Sequence, residues 1–449
     1  MSVLRGEADL RALAGAALAA SGADETEILL EARTNALTRF ANAFIHQNVV
    51  SSEARVRVRA VRGKRVAVIS TDRLDREGVE KAARDASELA SLVPENPRFT
   101  GLVAKAPIPS APSAFVDRTA AATPEARAKA VQRICDPARA KGLSAAGYVQ
   151  TRTEEIAIAS SRGVWTYWPR TVADLQVVAI GASGSAYAER AAADFGALDV
   201  AGAADEAIDK TLIAQDPRDI EPGEYEVVLA PYAVVDIVNF LSNQLTGPAV
   251  EEGRSFVGGR LGEKVTGPIT LVDDPFDPQG LPMPFDYEGA PASRVTLIED
   301  GVARAVVYDS QSAARANVPN TGHALPTNPF APVMPMHVRL EAGDKTRQEL
   351  VGGVKRGLLV TRFHYTRWVH QLRTIVTGMT REGTFLIEDG KIAYPVKNLR
   401  FTQSYHEALA GTLGISSDLT LIPGGFGSTA RRVPALRLAS FTFTGATRY

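Results

Sequence analysis

The sequence predicts an α+β protein: an N-terminal α/β domain of two related sheet-and-helix halves, then a C-terminal, mainly antiparallel β domain, sandwich or barrel-like. Three observations predict it. Helical and alternating patterns interleave and then recur within the first 220 residues. Asp, Pro, Glu and Gly cluster at Pro217–Gly223, and short apolar runs cut by Gly and Pro fill the remainder. The expected division is 1–220, with halves at about 1–104 and 113–220, and 221–449.

Apolar residues at helical spacing with early acidic residues predict a helix over Leu4 to Ala20, stopped at Gly22. Glu7, Asp9 and Arg11 interrupt any signal-peptide core there, so an amphipathic helix is the better reading. From Glu27 to Ile69 the pattern alternates. Val56, Val58 and Ala60 fall on one face and Arg55, Arg57 and Arg59 on the other, with a turn at Arg62-Gly63-Lys64, which predicts a hairpin with one wet face. A helix over Asp75 to Leu92 turns Val79, Ala82, Ala83, Ala86, Leu89 and Ala90 to the sheet and ends before Pro94 and Pro97.

KAPIPSAP, Lys105 to Pro112, is an extended linker, because proline removes donors and biases its predecessor away from helix. Thr123-Pro124-Glu125 then opens a helix to about Lys141, with a capping hydroxyl and proline at the first helical position. Strands over Gly147 to Ala159, Val164 to Pro169 and Ala173 to Ala188, and a helix over Asp205 to Ala214, repeat the earlier meander. In the second domain a strand at Tyr225 to Leu229 and a helix at Tyr232 to Gln244 come first. Short strands follow at Ile269–Val272, Arg294–Leu297, Val302–Tyr308, Val333–Leu340, Leu358–Phe363, Gly383–Ile387, Lys391–Val396 and Leu436–Phe443.

Of 449 residues, 50 are Lys or Arg and 51 Asp or Glu, a formal net charge of −1, so no global excess of positive charge favours a polyanion or an acidic membrane. This balance speaks against nucleic acid as a partner, and the Arg55, Arg57, Arg59, Arg62, Lys64, Arg65 stripe reads first as a solvated sheet face. The single cysteine, Cys135, builds neither a disulfide framework nor a multi-thiolate metal site, as expected of a cytoplasmic protein. No run reaches the length of a membrane span.

None of the six histidines stands in an HExxH pair; His406-Glu407 begins such a motif, but no second ligand follows. The glycine runs at Gly181–Ser185 and Gly424–Ser428 lack the ending and the helix of a phosphate cradle and read as turns. RFHYTRWVHQL concentrates His364, Tyr365, Arg367, Trp368 and His370. On a regular strand His364, Thr366, Trp368 and His370 share a face, so the segment is either an aromatic packing strand or a peptide-binding groove.

TRFANAFIHQN, FDYEGAPASRVTLIEDGV, AGDKTRQELVGGVKRGLLV and FLIEDGKIAYPVKNLRF, in this order, resemble the TldD/PmbA (TldE) family over nearly the whole chain. The resemblance implies an N-terminal α/β domain, a C-terminal mainly β domain, and a place in a heterodimeric cytosolic metalloprotease acting on unfolded peptides. In the TldD-type subunit, zinc is held by HExxxH on the helix opening the C-terminal domain and by a late cysteine. Counted back from SFVGGRLGEKV, those positions fall here on Val238, Asn239 and Asn243, and the cysteine region reads GGFGSTA around Phe426. A valine has no donor atom, a carboxamide is a poor zinc ligand, and losing the glutamate removes the base that activates water.

The implied role is therefore a PmbA/TldE-type subunit with no metal or catalytic residue of its own, zinc residing in a TldD-like partner, whose shared cavity admits only extended chains. For the chain alone, a homodimer in place of the heterodimer stays open, because the two subunit types share a fold and similar edges. Val234, Val235, Ile237, Val238 and Leu241 then mark a core helix. Two alternatives stay open: an independent peptidase or hydrolase with a site near His364 and His370, and a DNA gyrase modulator-type binding protein, the older label of the family.

Overall fold

A computed structural model describes residues 4–326, 332–423 and 430–446. The N-terminal region is built as helix, three-stranded meander, helix, twice over. The first set is α1 (Glu7–Ala20), β1 (Glu25–Ala41), β2 (Phe44–Arg62), β3 (Arg65–Thr71) and α2 (Arg76–Leu92). After an irregular stretch and the short α3 (Asp117–Ala120) come α4 (Pro124–Ala140), β4 (Ser144–Ser160), β5 (Trp165–Ile180), β6 (Ser185–Ala192) and α5 (Val200–Ile213). The two meanders join along β1 and β4, antiparallel from Glu27↔Ser160 to Phe40↔Gly147, into one sheet of order β3-β2-β1-β4-β5-β6.

Local chemistry fixes these elements. Asp75 caps α2 through Gly78 N–H, and Thr123 caps α4 through Ala126 N–H ahead of Pro124. The alternating side chains Ile28, Leu30, Val56, Val58 and Ala60 bury against Leu10, Leu13, Val79, Ala82 and Ala83 of α1 and α2.

The alternation between Glu27 and Ile69 hides a second turn: Asn42 and Ala43 both sit at positive φ, 50° and 59°, so the segment folds into three strands, not two. The wet face is also only partly wet. Leu29, Ile156 and Ile158 on that side pack on Met283 and Phe285 of the C-terminal region, and Arg59 is nearly buried there. In the second meander the predicted break between Pro169 and Ala173 does not occur. β5 runs through Pro169, which has no ladder partner to disturb on the β6 side, because β6 begins pairing only at Ala173. The reversal falls at Gly181, whose N–H bonds Gly184 O, as a turn reading of that glycine run requires.

The C-terminal region adds β7 (Gly223–Leu229), α6 (Pro231–Ser242), α7 (Gly247–Glu251), β8 (Leu271–Asp273), β9 (Val295–Glu299), β10 (Val302–Ala303), α8 (Ser310–Ala316), β11 (Val338–Leu340) and α9 (Arg347–Gly352). It ends with β12 (Arg356–His370), β13 (Ile375–Glu388), β14 (Lys391–Val396), β15 (Leu399–Ser404), α10 (Tyr405–Ala410), β16 (Thr412–Ile415), β17 (Thr420–Pro423), β18 (Ala430–Val433) and β19 (Leu436–Ala446). One sheet has the order β12-β7-β19-β15-β13-β14, and β12 also pairs with β13, closing a barrel-like ring filled by Phe363, Phe401, Phe441 and Phe443. A second sheet, β10-β9-β8-β11-β18-β17, lies beside it. Most pairings are antiparallel; β7–β12 and β11–β18 are parallel.

Several expected strands shrink. Val302–Tyr308 is a strand only to Ala303, and Val333–Leu340 only from Val338; Val307 and Val333 instead make isolated bridges to Thr246 and Ala324. These apolar residues are buried singly in loops, which a short apolar run does not distinguish from a ladder.

Candidate functional site

A cavity of about 390 Å³ lies between the N-terminal sheet and the C-terminal region. Glu27 and Arg59 reach it from β1 and β2, Asn243 and Gln244 from the end of α6, Glu288 and Asp309 from C-terminal loops, and Trp368 and Gln371 from the end of β12. Arg59 ties the two sides together: Nη2 lies 2.6 Å from Glu27 Oε2 and 3.1 Å from Glu288 Oε1. Burial opposes the Arg59 charge, but the two carboxylates more than offset it and hold the guanidinium above its ordinary pKa. Burial likewise pushes Glu27 and Asp309 above the usual carboxylate range. Gln244, 1% exposed, leaves Oε1 without a hydrogen-bond partner.

α6 carries the positions where the family resemblance expects zinc ligands. Pro231 presets its first turn, and Val234, Val235, Ile237, Val238 and Leu241 bury in the main core. Val238 is 1% exposed and offers no donor. Asn243 follows the helix at its C-cap, exposed on the cavity rim, and its Nδ2 donates to Asn239 O at 2.8 Å. These side chains do not compose a zinc-binding set, and no group of three or more His, Cys, Asp or Glu among the described residues could hold a metal. Phe426 lies outside the described residues.

The same helix does hold a perturbed acid that the sequence pattern did not single out. Asp236 accepts hydrogen bonds from Tyr405 Oη and Thr366 Oγ1, both at 2.7 Å, and burial pushes its pKa up to about 6 against those two donors. It pins α6 to β12 and α10. Its sequence signal was only its place two residues before the motif positions.

The RFHYTRWVHQL segment does not form one groove-lining face. β12 departs from regular pairing between His364 and Arg367 and again between Trp368 and His370, and Tyr365 has φ 55°, so the strict alternation is broken. Trp368 alone of the five proposed groove residues lines the cavity, packed edge-on to Phe240 at 4.7 Å. Tyr365 is exposed, with His364 against its ring and the Arg367 guanidinium 5.6 Å from its centroid; His370 is exposed at the strand end. His406, the second residue of α10, has Nδ1 2.8 Å from Thr374 Oγ1 and its ring stacked on Phe256.

A separate buried network crosses the second sheet. Asp273 Oδ1 lies 3.2 Å from His323 Nε2, and Oδ2 accepts from His337 N–H at 2.9 Å; Thr321 Oγ1 stands 2.9 Å from His323 Nδ1. Asp273 is fully buried and His323 1% exposed, so the constellation is structural and out of reach of a substrate.

Three family models match in order: PmbA/TldA metallopeptidase domain 1 over residues 26–90, the central domain over 109–215 and the C-terminal domain over 222–445. The chain is 27% identical over 215 residues to a metalloprotease of Methanothermobacter thermautotrophicus, covering 47% of each chain. It is 23% identical over 214 residues to the metalloprotease PmbA of Escherichia coli O157:H7, covering 47% of this chain and 45% of that one. These matches thus span about half the length of the curated relatives.

Among solved structures, TldE from Thermococcus kodakarensis superposes with a TM-score of 0.89 at 21% identity, over 97% of this chain and 100% of that one. A Thermotoga maritima protein described as a candidate modulator of a DNA gyrase gives 0.82 at 17%, over 94% and 96%. At these identities the structural likeness shows the fold alone. No helix among the described residues is long and apolar enough to cross a membrane. The family models, met in sequence and spanning the chain from residue 26 to 445, make this chain a member of the PmbA/TldD metallopeptidase family.

Proposed function

We propose that this chain is the metal-free, non-catalytic subunit of a cytoplasmic two-subunit metalloprotease of the TldD/TldE type acting on unfolded peptides. Zinc and the water-activating base belong to a TldD-like partner. The observation that carries this reading is the donor chemistry of α6: a buried valine and two carboxamides, one turned back on its own helix, stand where the family pattern asks for two imidazoles and a carboxylate. A histidine at position 238 would in any case have to displace apolar packing in the main core.

What the chain contributes is shape. The cavity walled by Arg59, Glu288 and Trp368 completes a shared chamber that a folded domain cannot enter, while an extended peptide presents its backbone groups for pairing. The test is to purify the chain alone and with a TldD-type partner, and to measure bound zinc and peptidase activity in each. The expected outcome is no stoichiometric zinc and no activity alone, and activity in the complex that vanishes when the partner's HExxxH is mutated. Tight stoichiometric zinc supporting activity of the isolated chain would overturn the reading.

A further inference from the structure

On the outer side of the C-terminal ring a second cavity, of about 650 Å³, opens between α5 of the N-terminal region and α9. Alternation along β7 and β12 sends Val227, Leu229, Leu358 and Val360 into the ring core and leaves Val228 and Leu359, which are cross-strand partners, on the other face. Those two make the floor with Ala435, and Val351 of α9 and Ile392 of β14 make the apolar walls. Ile392 is 38% exposed, and Val351 and Leu359 are half-buried, so this concave apolar surface meets water. Its size is that of a small-molecule site.

Polar groups stand only at the rim, and most of them are already engaged. Glu206 accepts from Arg190, Lys210 and Tyr232, and Arg347 pairs with Asp418 at 2.6 Å. The side chains of Lys391 and Gln348 also line the cavity and have no partner among the described residues. Glu206 is the one carboxylate on the described lining, against Lys210, Arg347 and Lys391, so the charge left over is that of an ammonium group.

We propose that this groove binds a free medium-chain fatty carboxylate, its alkyl chain along Val228, Leu359 and Ile392 and its head group on Lys391, with the Gln348 amide as a second donor. Charge complementarity selects an anion at the rim. The floor selects an alkyl chain. No aromatic side chain lines the described cavity for a ring to stack on. The backbone of Val228 and Leu359 is taken up on both sides, by β19 and β12 for the first and by β7 and β13 for the second, so a peptide would find no ladder to join, whereas a hydrocarbon needs none.

The experiment titrates octanoate, decanoate and decanol, each below its micelle concentration, into the whole chain by calorimetry. Decanoate should bind saturably at one site, with affinity rising roughly two- to fourfold per methylene from octanoate, and decanol should bind about threefold more weakly for want of the charge. Lys391→Glu should weaken decanoate binding roughly fivefold or more, and Ile392→Glu, which puts a charge on the alkyl track, roughly tenfold or more. Both side chains are exposed, so thermal midpoints should stay near that of the parent. Hydrogen exchange should slow at 347–352 and 390–392 in the complex. No saturable binding at millimolar decanoate, decanol binding as tightly as decanoate, binding indifferent to both variants, or slowed exchange only elsewhere in the chain overturns the proposal. Neither zinc nor peptidase activity is read, so this proposal and the proposed function stand or fall separately.

Discussion

Arg59 of β2 and Glu288 of the C-terminal region meet at 3.1 Å while the same Arg59 nitrogen holds Glu27 at 2.6 Å, so one guanidinium neutralises carboxylates from both sides of the cavity. Arg59→Leu strands two nearly buried carboxylates and is expected to cost about 3–5 kcal/mol, the usual penalty for removing one partner of a buried pair. Urea unfolding at pH 7 measures it; a loss no larger than that of an exposed pair such as Arg76–Glu80 would show that solvent already screens the cluster.

Asp236 gives a pH signature. Its pKa, pushed to about 6, lies above the value near 4 of an unfolded aspartate, so the folded state binds the extra proton in that window and stability falls as pH rises from about 4 to 6, then levels. Asp236→Asn should remove that slope, a difference of about 2 kcal/mol between the ends of the window. Denaturant midpoints of parent and variant across pH 4 to 7 check it, and parallel curves would count against the assignment.

Asp273 should behave in the opposite sense. Burial disfavours its charge, but His323 and His337 hold the carboxyl well below its ordinary range. Its contribution is therefore present above about pH 4 and lost as pH falls through the acid range. Asp273→Asn leaves the two histidine donors short of an anionic acceptor and should destabilise by about 3 kcal/mol at pH 7, less at pH 3. Acid titration followed by tryptophan fluorescence would reveal the difference.

Gly289 presses the C-terminal region onto β4. With φ at 75°, a β-carbon there would stand 2.6 Å from Val164 Cγ1 and 3.2 Å from Ile158 Cγ2. Gly289→Ala combines an unfavourable backbone with overpacking between the two regions and should cost about 2–4 kcal/mol. Ala introduced at Gly63, also at positive φ but with open space around it, isolates the backbone share and should cost about 1 kcal/mol. Equal losses at the two sites would mean that the packing contact at Gly289 yields freely.

Periodicity made the N-terminal elements legible because Val56, Val58 and Ala60, or Val79, Ala82 and Ala83, bury at regular spacing against one partner layer. The caps at Asp75 and Thr123 fixed two helix starts for the same local reason. The Asn42–Ala43 turn was missed because alanine rarely accepts positive φ. In the C-terminal region, the Thr246 cap and the Thr346–Glu349 capping box mark the starts of α7 and α9, but helices this short have no periodic apolar run to announce them, and β10 is only two residues long. The cavity was illegible for a further reason. Arg59 looks like any solvent-facing strand arginine until Glu288, far along the chain, is brought beside it. Likewise His364, Trp368 and His370 fall on one face of a regular strand in sequence, but two irregularities in β12 scatter them.

The seam between β1 and β4 bears on how the protein breaks. Its antiparallel ladder runs from Glu27 to Phe40, whereas the covalent tether between the meanders passes through the irregular stretch that includes Lys105 to Pro112. A protease that nicks the tether severs the polypeptide without severing the sheet. The two fragments should co-elute as one particle and come apart only in denaturant, so a clean double band on a gel would be a sign of an intact fold.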